Sequence, residues 1–475
     1  MTPNMADNIE RLQSLRDDTV PLRPVYEPYN AAANTLVDLV HQSIDLATDR
    51  PTSVERQKVV VCSFLATAQR AFSKEDGAVA IASKAEYWSH YPLVGVDIIK
   101  QVTRALIAGD FIKAVDGTGQ RHFWTDEDGK QRSIGLMRIY TLNESLLTLD
   151  GFVDAEFIET GRPTIQVGIA ETKAAKYYRQ QNKRRKPKMT KEDMRKTFGK
   201  PYGVATLGVE SLNTFWREHP LALPQIGNGV RGYAACATRV FHDGALDRGG
   251  RYYGAWTTLN SEYRLQSTID GEPLAEIDLN ASQPTLFSSM LGMRMYVGGM
   301  WEDLYAIVAS HVDLTDIDVE DDNTTKRNKL KQVTVELIGT GNAFKRQEAE
   351  GGRFTFKDGE YARYRNALTK VVPALHQLQN TNDGGYYNGS GFISFHEAQM
   401  MMLTLQKLKD MGVVAYPVHG CLLVKDKEVD TALNVYRETI RNYIKEHGHG
   451  SVDILVPVSV ERIGEAKQRV VGLYS

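Results

Sequence analysis

The chain of 475 residues has few of the features that mark secreted, membrane-spanning or disulfide-stabilised proteins. Its three cysteines, Cys62, Cys236 and Cys421, show no paired spacing, which excludes a disulfide framework and a cysteine-rich zinc site. It contains no run of about 18 apolar residues, and residues 1–16 carry acids and amides where a secretory signal needs an apolar stretch. We therefore expect a cytoplasmic protein without a membrane partner.

Common catalytic motifs are also missing, since the sequence has no P-loop, no GxSxG elbow and no HExxH zinc motif. The net charge of −2 says nothing about polymer binding, which depends on a local positive surface. One strongly basic cluster does occur within residues 173–200, and it forms either a nucleic-acid contact or a solvated helix face or linker. Its most basic members are Lys183, Arg184, Arg185, Lys186 and Lys188.

The length suggests two or three domains. Residues 1–30 are polar, include Pro21 and Pro24, and show no sustained periodicity, so we expect a tail there. Apolar residues at helical spacing then predict a helical domain over residues 31–149. A basic helical connector over 150–230 and a larger C-terminal unit over 231–475 complete the division.

The segment 81–146 has the plan of a winged helix. Two helical stretches are followed by two β-like runs with Asp128–Gly129 between them. In this plan the helix from about Val96 to Ala108 is the recognition helix, and it offers Lys100 and Arg104 to the major groove of DNA. The alternative is a packing domain of the same topology that touches no DNA.

The most informative stretch is RLQSTIDGEPLAEIDLNASQPTLFSSML, residues 264–291. A turn at Asp270–Gly271 precedes a short apolar strand whose end delivers Asp278, and the chain becomes helical beyond Pro284. A carboxylate at a strand end that precedes a helix is well placed to hold a metal ion. Taken alone, however, such an Asp is more often a turn or N-cap residue.

Three further elements follow. Residues 323–341 predict a helix on which Arg327 and Lys331 lie one turn apart, where they either grip a triphosphate or are simply solvated. Residues 392–411 predict a Met-rich helix whose methionines belong to the core. Residues 413–424 predict a buried hairpin around His419–Gly420.

Taken in order, these pieces resemble the family A DNA polymerases and the single-subunit phage and mitochondrial RNA polymerases. The resemblance covers about the last half of the chain. EIDLNASQ at 276–283 is similar to motif A, Arg327 and Lys331 match the basic pair of motif B, and VHGCLLV at 418–424 is similar to motif C. RVFHDGALDRGGRYYGAW at 239–256, with Gly249, Gly250 and Arg251, resembles a segment before motif A in phage and mobile-element relatives.

The resemblance implies an α+β fold: a right-hand palm with helical fingers at about 295–390, a thumb-like region within 150–230, and the winged-helix-like domain in front. It implies nucleotidyl transfer with Mg²⁺ or Mn²⁺, with DNA or RNA and nucleoside triphosphates as partners. Asp278 and the carbonyl of Leu279 would bind metal, and His419 would open motif C. The nucleotide-binding residues it implies are Arg327, Lys331, Gln283, Arg251 and Arg264.

The chain departs from the family pattern at three positions. Motif C of the family has an Asp directly after the His as its second metal-binding carboxylate, and this chain has Gly420. Motif B usually has an aromatic residue where this chain has Gly339, so base stacking is lost there. The sugar-discriminating position carries Gln283, which leaves the choice between deoxy- and ribonucleotides open.

Three hypotheses follow. The first is a template-directed polymerase, in one version primase-like. The second is a polymerase-fold DNA-binding protein of a mobile element that serves in replication or regulation without catalysis, and it is motivated by Gly420. The third is an unrelated enzyme with accidental motif matches.

Both nucleic-acid hypotheses predict that DNA affinity falls steeply with salt, because contacts from the basic cluster between Lys183 and Lys188 release counterions from the phosphates. Titrating labelled duplex and single-stranded DNA at several salt concentrations measures this slope. A failure to bind either form at any salt concentration would remove the DNA-binding hypothesis.

Overall fold

The fold was obtained as a computed structural model. It describes residues 19–46, 50–72, 77–88, 94–125, 131–135, 137–181, 186–224, 232–293, 303–310, 322–349, 352–378, 389–449, 457–465 and 468–470, together with positions 11, 14, 91 and 295.

The helices are α1 (Ala31–Ser43), α2 (Pro51–Phe72), α3 (Ala85–Trp88), α4 (Val96–Ala108), α5 (Glu144–Leu147), α6 (Lys173–Gln181), α7 (Lys191–Phe198), α8 (Lys200–Glu218), α9 (Ser261–Leu265), α10 (Ser282–Met290), α11 (Leu304–Ser310), α12 (Asn323–Thr340), α13 (Glu360–Val371), α14 (Gly389–Asp410) and α15 (Val429–His447). Short 3₁₀ turns cover Ala255–Thr258, Pro373–Gln377 and Asp426–Glu428.

The strands are β1 (Thr19–Pro21), β2 (Tyr26–Pro28), β3 (Ala78–Ile81), β4 (Ile112–Ala114), β5 (Arg121–Thr125), β6 (Gln131–Gly135), β7 (Arg138–Leu142), β8 (Phe157–Glu159), β9 (Ile165–Val167), β10 (Leu221–Ala222), β11 (Tyr233–Ala234), β12 (Thr238–Phe241), β13 (Gly249–Tyr253), β14 (Thr268–Ile269), β15 (Glu272–Leu279), β16 (Ala415–Val418), β17 (Cys421–Lys425), β18 (Val458–Arg462) and β19 (Gln468–Val470).

The N-terminal part packs helices against the sheet β1-β3-β7-β4. Helix α4 shows why: Ile99, Val102 and Leu106 recur at helical spacing and are buried, whereas Lys100 and Arg104 lie on its exposed side. The helix has the bounds predicted from the sequence. The predicted hairpin is partly wrong: β5 pairs with β6, in the stretch expected to separate the two β-like runs, and the second run, GLMRIYTL, forms β7, which pairs with β3 and β4. The assignment of α4 as the recognition helix of a winged helix stays a prediction.

Residues 19–28 correct the expectation of a tail. They form β1, which pairs with β3, and β2, which pairs with β8. Leu22, Val25 and Tyr26 are buried. Strands of three residues are too short to show the sustained periodicity on which the expectation depended, so only their tertiary partners reveal them.

The C-terminal part is organised around β15. This strand pairs antiparallel with β17 on one side and with β18 on the other, within a ten-stranded sheet. It begins at a tight turn in which Asp270 and Gly271 both have positive φ, as the Asp-Gly sequence predicts. A separate three-stranded sheet, β13-β12-β9, lies against α14.

Helices α11, α12 and α13 form a second hydrophobic cluster with the turn Pro373–Gln377, joined by Phe287 from α10 and Ile393 from α14. They occupy the described part of the range in which fingers were expected. The α+β class is thus confirmed, while the division into palm and fingers stays a prediction. No helix in the described ranges has the length and apolarity needed to span a membrane.

Three large aromatic side chains attach α8 to the β16 strand. The Trp216 indole lies 5.0 Å from the ring of Tyr416 and nearly parallel to it, and its Nε1 donates to the Ala415 carbonyl at 2.8 Å. Trp256 donates in the same way to Pro417 at 2.8 Å. All three are buried, so the hydrogen bonds satisfy polar groups that would otherwise be costly to bury.

We expect Trp216→Ala to lower the free energy of unfolding by about 3 to 5 kcal/mol, because it removes a fully buried indole and leaves a carbonyl unpaired. Leu207→Ala on the same helix is the control, since Leu207 is 66% exposed and should change stability by less than about 0.5 kcal/mol. Urea unfolding followed by circular dichroism measures both, and equal effects would contradict the packing role of Trp216.

Candidate active site

Asp278 lies at the end of β15, directly opposite Cys421 at the start of β17. Its neighbours Ile277 and Leu279 are buried in the core, and strand alternation therefore turns Asp278 to the other face. The Cys421 thiol donates a hydrogen bond to Asp278 Oδ1 at 2.9 Å. The register of two strands thus brings the predicted metal ligand to the predicted motif C hairpin.

The hairpin turn consists of His419 and Gly420. His419 has a positive φ of 56°, and its Nδ1 is buried without a hydrogen-bond partner among the described residues. Burial lowers the pKa of this imidazole, and the charge of Arg251 lowers it further. The turn is held from below by Tyr436, whose hydroxyl donates to the Gly420 carbonyl at 2.7 Å.

Glu397 is the site residue that the sequence analysis missed. It is buried on α14, where its Oε1 accepts from Ser282 Oγ at 2.8 Å and its Oε2 accepts from Arg251 Nε at 2.7 Å and from Arg251 Nη2. A Cβ atom added to Gly420 would lie 3.1 Å from Glu397 Oε1. The available signal in the sequence was an acid three residues before the run of methionines at 400–402 of this helix.

Arg251 reaches Glu397 from β13 because two glycines shape that strand. Gly249 and Gly250 have φ values of +79° and +81°, and a Cβ at either would come within 3 Å of neighbouring side chains. Arg239 is fully buried and donates from Nε to the Gly250 carbonyl at 2.8 Å. The double glycine and Arg239 therefore position Arg251.

Arg264 is a buried residue with its partners inside the protein. Two nitrogens of its guanidinium, Nε and Nη2, donate to Glu276 Oε2 at 3.0 Å and 2.8 Å and form an ion pair. The guanidinium also donates to the Leu259 carbonyl at 2.5 Å. This arrangement holds α9 onto β15. Its suggested contact with a nucleotide stays a prediction.

The other predicted nucleotide-binding residues lie on two helices. Arg327 on α12 donates from Nε to Asp303 Oδ2 at 2.9 Å, and Asp303 also accepts from the first backbone amides of α11. Lys331 is exposed one turn further along α12. Gln283 is half-buried in the first turn of α10.

The donor atoms near Asp278 are of the type that Mg²⁺ and Mn²⁺ take. They are the Asp278 carboxylate, the Glu397 carboxylate and the Leu279 carbonyl at the strand end, all oxygens. Within the described ranges, no group of three or more His, Cys, Asp or Glu side chains is arranged to hold a metal ion. A divalent ion held by these oxygens would therefore need further ligands from nucleotide and water.

The predicted nucleic-acid contacts are spread over two regions. Lys100 and Arg104 are exposed one turn apart on α4. Lys186 donates to Asp243 Oδ1 at 2.9 Å, and Lys188 donates to the Gln166 side chain. The first three members of the basic cluster, Lys183, Arg184 and Arg185, lie outside the described residues.

Comparison with known proteins adds little. No protein-family model and no curated protein matches the chain. Among solved structures, the chain is similar to the POL domain of Pol1 from M. smegmatis in complex with DNA primer-template and dNTP, at 13% identity and a TM-score of 0.32. The match covers 92% of this chain and 69% of that one, and at this score it supports no conclusion about fold or activity.

The residue before Glu397 generates a prediction about pH. His396 is buried on α14, its Nδ1 lies 2.8 Å from the Tyr443 hydroxyl, and burial lowers its pKa from 6.5 to about 4. As pH falls from 6.5 to 4 the unfolded chain takes up this proton before the folded chain, so stability decreases. We expect His396→Asn to lose less stability than the unaltered protein between pH 7 and pH 4.5 in urea unfolding. Equal losses of stability in the variant and in the unaltered protein would contradict the prediction.

Proposed function

We propose that the chain is a template-directed nucleotidyltransferase of the polymerase type. The observation that carries this proposal is the pairing of Asp278, at the end of β15, with Cys421, the residue that follows the His419–Gly420 turn. The sequence resemblance had assigned these two segments to motifs A and C from their local patterns alone. Their register as neighbouring strands is what a shared catalytic centre requires.

Asp278 and the Leu279 carbonyl are the residues that would hold Mg²⁺ or Mn²⁺ in this function. When bound, such ions activate the 3′ hydroxyl of the growing strand and balance the charge on the departing pyrophosphate. Asp278 is suited to this role because the backbone pairing on both sides of β15 fixes its position.

Arg327 and Lys331 would bind the triphosphate. Asp303 fixes the direction of the Arg327 guanidinium, while Lys331, four residues along the same helix, extends into solvent. Two cations on one face of a helix neutralise phosphate oxygens as negative charge develops in the transition state. The same proposal assigns Arg251, Arg264 and Gln283 to contacts with the nucleotide.

The substrate polymer would be DNA, with RNA as the alternative. Lys100 and Arg104 on the exposed side of α4 and the basic cluster around Lys186 and Lys188 would bind its phosphates. Gln283 leaves the sugar preference open.

A second candidate is a DNA-binding replication or regulatory protein of a mobile element that no longer catalyses. Gly420 and the Cys421 thiol favour this candidate, because the hairpin places no carboxylate next to Asp278. The same DNA contacts would serve both functions, so only a catalytic assay separates them.

We expect Asp278→Asn to abolish nucleotide addition, with a loss of about 100-fold or more, because the amide keeps the shape of the side chain and removes its charge. Asp270→Asn, at the other end of the same strand hairpin, is the matched control and should retain activity. Extension of primed and unprimed templates with labelled deoxy- and ribonucleotides in Mg²⁺ and Mn²⁺ measures both. If the unaltered protein extends nothing under these conditions, the second candidate replaces the first.

A further inference from the structure

The proposed reaction needs two acids at its centre, and the strand hairpins supply one. Asp278 is present, and the position that carries the second acid in the resembled enzymes is Gly420. We propose that Glu397, on helix α14, takes the role of that second acid. The inference rests on the proposed function and identifies a catalytic residue that the motifs do not contain.

The first support is location. The heavy atom nearest to a Cβ at Gly420 is Glu397 Oε1, at 3.1 Å, and the next is Ser282 Oγ, at 3.3 Å. A side chain at residue 420 would therefore begin in contact with the Glu397 carboxylate. The negative charge that an Asp would bring to this place is already there, delivered from α14.

The second support is that Glu397 is held in place. Its side chain is 3% exposed, Arg251 binds one carboxylate oxygen through two nitrogens, and Ser282 binds the other. Ser282 opens the helix that follows Asp278, so this hydrogen bond ties Glu397 to the segment that carries the first acid. A buried carboxylate with fixed partners is pre-organised for a ligand role.

The third support comes from Tyr436 beneath the turn. Burial raises the pKa of this hydroxyl well above its usual value, and the carboxylates of Glu397 and Asp278 raise it further. The same turn contacts both acids, because Gly420 lies against Glu397 Oε1 and the next residue, Cys421, donates to Asp278 Oδ1. Glu397 and Asp278 belong to the same small region of the protein.

The proposal has a consequence for residue 420. An Asp placed there beside an intact Glu397 would bring two carboxylates into contact in a largely buried site, which is unfavourable. Gly420→Asp alone should therefore not raise activity. The combination Glu397→Gln with Gly420→Asp moves the charge from one residue to the other and should recover part of the function that Glu397→Gln loses.

The experiment compares the full chain with four variants: Glu397→Gln, Gly420→Asp, the double variant, and Asp278→Asn. Asp410→Asn, an exposed acid at the end of the same helix, is the control. The readouts are Mn²⁺ affinity by calorimetry with a non-hydrolysable nucleoside triphosphate present, and primer extension. Circular dichroism and thermal unfolding establish that each variant is folded, and Glu397→Gln keeps the size of the side chain.

We expect Glu397→Gln to weaken Mn²⁺ binding by about tenfold or more and to reduce extension, as Asp278→Asn does. The double variant should bind Mn²⁺ more tightly than Glu397→Gln. If Asp278→Asn lowers Mn²⁺ affinity and Glu397→Gln does not, the assignment of Glu397 is overturned while the proposed function stands. If neither variant changes Mn²⁺ affinity or extension, the proposed function itself fails.

One further pair of variants tests whether Glu397 acts only by positioning Arg251. The pair is Arg251→Met alone and Arg251→Met combined with Glu397→Gln. In that case Arg251→Met alone would reproduce the loss of Mn²⁺ affinity, and adding Glu397→Gln to it would change nothing more. This result would overturn the proposal. A further loss in the Arg251→Met background supports a direct role of the carboxylate.

Discussion

The antiparallel pairing of β15 with β17 is the constraint on which the candidate site depends. In this register Asp278 faces Cys421, and a shift by one residue would turn the carboxylate to the opposite face, into the core. The pairing is secured from several directions: β18 completes the other edge of β15, and buried Ile277 and Leu279 commit one face to the core. The position of the first acid thus follows from backbone hydrogen bonds and burial.

The second part of the site is the buried ion pair between Arg251 and Glu397, which strand pairing alone does not produce. Arg239 and the Gly249–Gly250 pair shape β13, β13 presents Arg251, and Arg251 binds Glu397 on α14. Such a carboxylate can stay buried because its partners offset the loss of hydration. Removing one partner would leave a buried charge unpaired and lower the stability of the site. Because Gly249 and Gly250 position Arg251, they are as important to the site as the charged residues.

This arrangement changes the meaning of Gly420. From the motif alone, glycine at this position indicates either that the second acid comes from elsewhere in the chain or that the centre is inactive. In the folded chain the space beside Gly420 contains a carboxylate oxygen, and a larger residue would press against it. The departure from the family pattern and the unpredicted Glu397 are therefore two aspects of one local structure.

The sequence by itself determined several local elements: the Asp-Gly turn, the strand that carries Asp278 at its end, the hairpin around His419, and helices α4, α12 and α14 near their observed bounds. These follow from periodicity, turn residues and caps, which act over a few neighbours. It did not reveal β1 and β2, which exist only through partners far along the chain. Nor did it reveal Glu397, because Arg251, 146 residues away, and Ser282, 115 residues away, become its neighbours only when the sheets and α14 pack together. Contacts at such separations leave no local pattern, so only the tertiary structure decided where the second carboxylate lies.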